Sequence, residues 1–487
     1  MNKSVENIEL APGLEISRVL TGLWQIADLE RDGQTLDPSE TSKAMQPYVD
    51  QGFSTFDMAD HYGSAEIIAG TFKKRNPDQS VQLLTKWVPK PGKLTKDDVR
   101  EAVQTAMDRL QVQKIDLLQF HAWNYADPSY LDQMFWLQEL KNEGLIGHLG
   151  VTNFDAAHLR VVKSSGIDIV SNQICYSLLD RRASGEMTTV CAELGIKILA
   201  FGTIAGGFLS EKWLGKAEPD WTNIDTWSLM KYKRFIDSSG GWEAYQQVLK
   251  TVKKIADKYD VSIANVASKY MLQRPQVAGV ILGARLGRSE HVAENLKLFQ
   301  FELSDEDLKS IKAATGELTP IHGDCGDEYR KPPFLTASGD LSHHLDSLPK
   351  PFGTTQGTNG IKVLSGTTWE SEFGYCRAIR KGNRILISGT TASHGDKLIG
   401  GTDPAAQAHF CIDKIEGAIQ SLGGKIGNVI RTRIFVKNVS DWEPIAKAHG
   451  SRFRDIQPAN TLVQADLIGE EFLVEIEAEA VLSEDSN

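Results

Sequence analysis

Asp57, Tyr62, Lys86 and His121 are the residues of this chain best suited to do chemistry. Asp57 and Tyr62 stand in the run Phe56-Asp57-Met58-Ala59-Asp60-His61-Tyr62-Gly63. Lys86 ends the apolar run Val81-Gln82-Leu83-Leu84-Thr85, and His121 ends Ile115-Asp116-Leu117-Leu118-Gln119-Phe120. A free tyrosine hydroxyl has a pKa of about 10, high for moving protons near neutrality. A lysine ammonium beside it would stabilise the phenolate and lower that value. A carboxylate would hold the lysine charged and in place, and a histidine opposite would donate a second hydrogen bond to a carbonyl oxygen. Such a set is a general acid for an oxygen that gains negative charge. Hydride added to a carbonyl carbon creates that charge. No side chain supplies hydride, so a nicotinamide cofactor is implied.

Three successive apolar strands thus each deliver a titratable residue at the C-terminal end. In a closed parallel barrel those ends meet in one mouth. The pattern predicts strands at 18–26, 54–59, 81–87, 115–122, 147–153, 168–175, 197–202 and 278–283. Helices are expected at 39–51, 64–74, 96–110, 129–143, 155–164, 185–194, 242–258, 262–272 and 288–296. Strands rich in Ile, Leu and Val suit burial on both faces. Eight strand–helix units favour an α/β fold of the (β/α)8 TIM-barrel type. No Gly-x-Gly-x-x-Gly follows the first strand, which argues against a Rossmann domain. The connection after strand seven is long and carries Trp213, Trp221, Trp227 and Trp242. Its length suggests a functional lid, and its aromatic content argues against disorder.

A chain of 487 residues is expected to hold two or three domains. With 41% hydrophobic and 24% charged residues the composition is that of a globular protein. The net charge of −11 repels phosphate backbones, so no nucleic-acid partner is expected. Five scattered cysteines suit reduced thiols in a cytosol. The start has no apolar signal-like stretch, and no apolar run is long enough to span a bilayer, so a cytoplasmic protein without membrane contact is expected. The barrel is expected over 1–315. Residues 316–362, rich in Gly, Pro, Ser, Thr and Asp, read as a linker. His322, Asp324 and Cys325 lie near one another there, as do His343 and His344, but match no zinc spacing, and no metal is expected. From 363 to 487 the pattern becomes α+β. Strands are predicted at 375–381, 384–388, 430–437, 461–466 and 473–482, and helices at 403–421 and 441–454. Ser440 and Glu443 suggest a capping box for the second helix.

With these motifs in their order, Phe-Asp-Met-Ala-Asp-His-Tyr-Gly, Leu-Thr-Lys-Trp and Leu-Gln-Phe-His, the chain from about 8 to 315 resembles the aldo-keto reductase family. The resemblance implies a (β/α)8 barrel and NADP(H)-dependent reduction of an aldehyde or ketone, or the reverse. It assigns Tyr62 as general acid/base, tuned by Lys86 and Asp57, with His121 orienting the carbonyl. Gly150-Val151-Thr152-Asn153-Phe154 is similar to a family motif, so Thr152 and Asn153 should hold the carboxamide, with Gln173 beside them. Phe201 stands where the family often stacks a tyrosine on nicotinamide. The run from Gly202 through Gly206 to Leu209 should wrap the pyrophosphate. The segment from Gly283 through Arg285, Arg288 and Glu290 to Asn295 resembles the one that binds the adenosine phosphate. An arginine suits a 2′-phosphate because its fork makes two bonds and its charge is permanent, which favours NADP over NAD. Trp24, Trp87 and Trp123 should ring the substrate mouth, with Tyr125 nearby.

The region 365–483 resembles the Rid (YjgF-like, chorismate-mutase-like) family, which hydrolyses reactive enamines and imines. Phe373-Gly374-Tyr375-Cys376-Arg377-Ala378, Ile387-Ser388-Gly389-Thr390, Arg433-Ile434-Phe435-Val436 and Val474-Glu475-Ile476-Glu477-Ala478 carry the likeness. Active members place an arginine after a Pro-Ala pair, where this chain has Asn460 behind Pro458-Ala459. An amide does not replace a guanidinium against a carboxylate. Glu475 matches the glutamate that positions water, so the expected pocket comprises Tyr375, Asn460 and Glu475. The resemblance also implies a homotrimer. The expected function is an NADP(H)-dependent carbonyl reductase, taking a small-molecule carbonyl substrate, whose tail trimerises it or binds a small molecule. The alternatives are a bifunctional imine hydrolase and reductase, or a cofactor-sensing subunit of low turnover.

Overall fold

The computed structural model describes residues 4–30, 33–289, 291–345 and 349–483. Eight parallel strands close into a barrel: β1 (Val19–Gly22), β2 (Thr55–Asp57), β3 (Gln82–Trp87), β4 (Ile115–Phe120), β5 (Ile146–Thr152), β6 (Ile169–Cys175), β7 (Lys197–Phe201) and β8 (Val277–Gly283), with β8 pairing back onto β1. All eight expected strands are present. An N-terminal hairpin, Asn7–Ala11 with Leu14–Ser17, joins the inward side chains of the barrel floor. Its Leu10, Leu14 and Ile16 pack with Leu20, Leu84 and Leu117, so one end of the barrel is sealed by aliphatic groups. The mouth at the opposite end is left for chemistry.

Three local expectations give way. β1 stops at Gly22, and Trp24–Glu30 is a helix, so Trp24 reaches the mouth from a helix rather than from a strand. The expected helix 39–51 is divided into Pro38–Thr41, a 3-10 turn over Ser42–Met45, and Gln46–Asp50, where Pro47 has no amide to donate. In place of a helix over 288–296 only Val292–Leu296 is helical, and Glu290 lies outside the described residues. The β7–β8 connection holds 3-10 turns and then three helices: Trp227–Ser238, Gly241–Tyr259 and Ile263–Leu272.

The C-terminal domain is a seven-stranded sheet: β9 (Gly353–Gly357), β10 (Gly360–Leu364), β11 (Ala378–Lys381), β12 (Arg384–Thr391), β13 (Val429–Val436), β14 (Ala459–Gln464) and β15 (Val474–Val481). The spatial order is β9-β10-β11-β12-β15-β13-β14, antiparallel except for β13 with β14. β9 and the first half of β10 fall inside the stretch 316–362 expected to be linker. Their Gly- and Thr-rich residues form an edge hairpin with little burial, so no apolar alternation marks them. On β15, Val474, Ile476, Ala478 and Ala480 face the core, as period-two burial requires. Besides a short helix at Thr368–Glu372, the domain has two long helices, Pro404–Ser421 and Trp442–Phe453. The second begins without a side-chain cap, because Ser440 lies in a preceding 3-10 turn and the expected capping box does not form.

The two domains share a buried polar seam. His158, on the barrel helix Ala156–Ser164, bridges Asp155 (Nδ1–Oδ1 2.5 Å) and Asp413 of the tail (Nε2–Oδ2 3.0 Å). Arg160 pairs with Asp403 at 2.9 Å. The tail helix approaches the loop after β4 closely at Gly417, where a Cβ would stand 2.2 Å from the Ala126 carbonyl oxygen. Among the described residues no helix is long and apolar enough to cross a membrane.

Candidate active site

Asp57 ends β2, Lys86 lies one residue from the end of β3 and His121 follows β4, so the barrel register brings them together as expected. Lys86 Nζ donates to Asp57 Oδ2 at 2.7 Å and to the Met58 carbonyl at 2.8 Å, and both side chains of the pair are 4% exposed. The other Asp57 oxygen accepts from Gln173 Nε2 at 2.7 Å and Gln119 Nε2 at 3.3 Å. Tyr62, from the loop after β2, places its ring centre 4.9 Å from Lys86 Nζ. The edges of Trp24 and His61 confine that ring at 4.9 and 4.8 Å. Asp57, Tyr62, Lys86 and His121 all line one cavity of about 1010 Å³.

The electrostatics differ from the expectation at Tyr62 and at His121, whose cavity-facing nitrogen accepts where it was expected to donate to a carbonyl oxygen. Burial, followed by the charge of Asp57, pushes the Tyr62 hydroxyl well above its ordinary value, whereas a lysine-stabilised phenolate was anticipated. The hydroxyl is buried, and the Lys86 ammonium donates to Asp57 and the Met58 carbonyl. Burial also lowers Lys86, against the opposing pull of Asp57. Tyr62 is therefore held as a proton donor. Burial and the Arg330 charge depress His121 to about 3, so its imidazole is neutral. Its Nδ1 lies 3.3 Å from the Thr152 carbonyl oxygen, which only accepts, so the ring proton sits on Nδ1. Nε2 is buried with no partner and presents a lone pair to the cavity. The pH profile of kcat/KM should thus lack an imidazole break and stay level from about pH 5 to 9. Initial rates across that range check this, and a break near 6.5 would contradict it.

Of the residues expected to hold the cofactor, all but Arg288 fall along the same cavity. The Thr152 hydroxyl donates to the Gln173 carbonyl at 3.0 Å. Asn153 has φ +59°, and its buried Oδ1 lacks a partner, which fits an amide donor such as a carboxamide. Gly202 and Gly206 have φ of +75° and +62°, and Tyr232 packs where their side chains would be. Phe201, Leu209, Gly283 and Asn295 also line the cavity. Arg285 lines it too, with Nε 3.1 Å from Gln25 Oε1, whereas Arg288 is exposed on the following turn and does not. Trp24 and Trp123 reach the cavity. Trp87 does not: it follows inward-facing Lys86 on β3, so it points outward and packs 5.7 Å from Phe120. Tyr125 also lies away from the cavity, stacked on His158 at 3.4 Å. Composition gave no sign of three further residues. Lys231 and Tyr329 line the cavity, and Arg330 donates to the Asn153 carbonyl behind it; the last two lie on the four-residue helix Asp327–Arg330 within the expected linker.

In the tail, Tyr375 is 37% exposed, and Asn460 donates to the Thr432 hydroxyl at 2.8 Å. Burial raises Glu475, and Arg377 opposes it. Asn460 pairs across from Thr432 on β13, whereas Glu475 pairs with Phe435, three residues further along that strand. Within one chain these two side chains are not neighbours.

Barrel, buried lysine–carboxylate pair and adjoining phenol define a (β/α)8 oxidoreductase. The family model described as Aldo/keto reductase family matches residues 18–315, and the one described as Endoribonuclease L-PSP matches 367–482. The chain belongs to the aldo/keto reductase family, with a Rid domain fused behind the barrel. An uncharacterized Streptomyces coelicolor protein is 38% identical over 120 residues, covering 24% of this chain and 90% of its own. The NADH-specific methylglyoxal reductase of Escherichia coli is 25% identical, covering 61% of this chain and 94% of its own. The solved glycerol dehydrogenase of Gluconobacter oxydans shares the fold at TM-score 0.54 and 21% identity, over 65% of this chain and 97% of that one.

Proposed function

We propose that the protein interconverts a small aldehyde or ketone and its alcohol with NADP(H), and that Tyr62 is the acid. The observation that carries this reading is the buried Lys86–Asp57 pair beside a protonated Tyr62 in a cavity that also holds the unpartnered Asn153 Oδ1. Thr152 and Asn153 would hold the carboxamide of a reduced nicotinamide, which would supply the hydride. Tyr62 donates its proton to the carbonyl oxygen as negative charge develops there, and solvent reprotonates the phenol. Lys86 and Asp57 hold a fixed dipole beneath the ring, which needs no reorganisation during the step. The His121 Nε2 lone pair accepts from the hydroxyl of the alcohol, which orients the oxygen.

Preference for the 2′-phosphate is assigned to Arg285, because it is the arginine of that segment that lines the cavity. Arg285→Ala should narrow the ratio of kcat/KM for NADPH over NADH about tenfold or more, and Arg288→Ala should leave it nearly unchanged. The Escherichia coli relative is named as NADH-specific, so initial rates with both dinucleotides are the check. An unchanged ratio in Arg285→Ala would remove the assignment. The tail is read as a trimerising domain. In support, Leu386, Ile430 and Val463 of its sheet are exposed, and a second chain is needed to bring a Glu475 near an Asn460. The reading retains a cytoplasmic protein, in keeping with five free thiols. Oxidation of NADPH by purified protein over a panel of aldehydes tests the function. No oxidation, together with no binding of either dinucleotide, would overturn it.

A further inference from the structure

The cavity holds a second lysine–tyrosine pair, to which the reaction above gives no task. Lys231 comes from the helix Trp227–Ser238 and Tyr329 from Asp327–Arg330, and both line the cavity. Lys231 Nζ donates to the Tyr329 hydroxyl at 2.7 Å. The ammonium sits 4.7 Å from the ring centre of Phe201, 4.9 Å from that of Tyr329 and 5.4 Å from that of Tyr232. Aromatic faces attract a cation without neutralising it. The acids that act on Lys231, Glu328 and Asp180, are both taken by Arg182, at 2.8 and 2.7 Å. Among the described residues no carboxylate pairs with Lys231, and its other two N–H bonds meet no acceptor. Burial lowers its pKa, with Cys175, Glu328 and Asp180 opposing. A charge placed this way in a cavity wall is incompletely compensated.

The position of the pair is also fixed. Arg330, next to Tyr329, donates to the carbonyls of Asn153 at 2.8 Å and Cys325 at 3.2 Å, which anchors the short helix to the loop after β5. The Tyr329 ring centre lies 5.9 Å from that of His121. We infer that Lys231 and Tyr329 form a substrate subsite for an anionic oxygen group, a carboxylate or a phosphate, carried within a few bonds of the reacting carbonyl. Lys231 offers two charge-assisted donors. The Tyr329 hydroxyl, which accepts from Lys231, keeps its own proton to donate. The assignment of a carbonyl to the Tyr62 side rests on the reductase reading, and the anion site itself does not.

Two measurements on the full chain separate these claims. Calorimetric titration of the dinucleotide-free protein with glutarate and with inorganic phosphate needs no turnover. Wild type should bind at least one of the two saturably. Lys231→Met should weaken that binding tenfold or more, and Lys231→Arg should retain most of it. Steady-state kinetics then compare succinic semialdehyde with butanal. Wild type should favour the charged aldehyde at least tenfold in kcat/KM, mainly through KM, and Lys231→Met should bring the ratio towards one. Should that variant fail to fold, Tyr329→Phe reads the same ratio and should reduce it in the same direction. Equal anion binding by wild type and Lys231→Met would overturn the inference. So would an unchanged substrate ratio, or a loss confined to dinucleotide affinity, which would make Lys231 a cofactor contact. Anion binding without reduction of either aldehyde would refute the reductase reading and uphold the subsite. Reduction of both aldehydes alike, with no anion bound, would do the reverse.

Discussion

Tyr62→Phe should lower kcat for carbonyl reduction by about 10²–10⁴, the range that a positioned acid contributes. The dissociation constant of the dinucleotide should stay within about twofold, since the hydroxyl is placed to meet substrate. The physical basis is the protonation state. Burial and Asp57 hold the phenol well above its ordinary pKa, so at neutral pH it is a donor, and phenylalanine keeps the ring but removes the proton. The packing of Trp24 and His61 on the ring edges is compatible with phenylalanine, so the variant should fold. Single-turnover oxidation of the bound dinucleotide, beside a binding titration, separates the two quantities. A variant with near-wild-type kcat would remove Tyr62 from the acid role.

The second large effect concerns the seam between barrel and tail. Asp413→Asn should destabilise the chain by about 3–5 kcal/mol, because removing one partner of a buried ion pair leaves uncompensated charge. His158 and Asp413 have side chains 3% and 1% exposed, and Arg452 adds a second cation to Asp413. Burial opposes the charge on His158, yet Asp155 and Asp413 together raise its pKa above the ordinary imidazole value. Its stabilising contribution is therefore complete below about pH 6.5 and lost as pH rises through the raised value. Burial likewise opposes the charges on Asp155 and Asp413, but His158 holds both carboxyls below their ordinary range. Their contribution is present above about pH 4 and lost as pH falls through the lowered values. Urea unfolding of the full chain should show a loss of stability on the alkaline side that Asp413→Asn flattens. A variant as stable as wild type, with the same pH dependence, would show that the seam holds nothing.

The barrel was legible because each of its strands is a short aliphatic run bounded by an amphipathic helix, and burial on both faces leaves little else those runs can do. The convergence of Asp57, Lys86 and His121 on one mouth was legible for the same reason, since strand ends fix where these side chains point. Trp87 was misplaced because strand alternation, rather than proximity to Lys86, decides its side. The closing helix Asp327–Arg330 was hidden for another reason. Four residues set in a stretch rich in Gly and Pro carry no periodicity, and their position depends on long-range bonds from Arg330 to Asn153 and Ala122. The β9–β10 hairpin escaped because its Gly- and Thr-rich residues bury little beyond Val363, too short an apolar pattern to show. The pKa direction at Tyr62 was beyond sequence reasoning, since it turns on how deeply the folded chain buries the phenol beside Asp57.

Dinucleotide carrying deuterium at the transferable C4 position, mixed with the purified protein and an aldehyde under single-turnover conditions, puts the assembled site to direct trial. Mass spectrometry of the product should find the label on the former carbonyl carbon of the alcohol in wild type, and no labelled alcohol on the same timescale with Tyr62→Phe. Deuterium that stays on the dinucleotide in wild type, or labelled alcohol formed equally fast without the phenol, would contradict the site described.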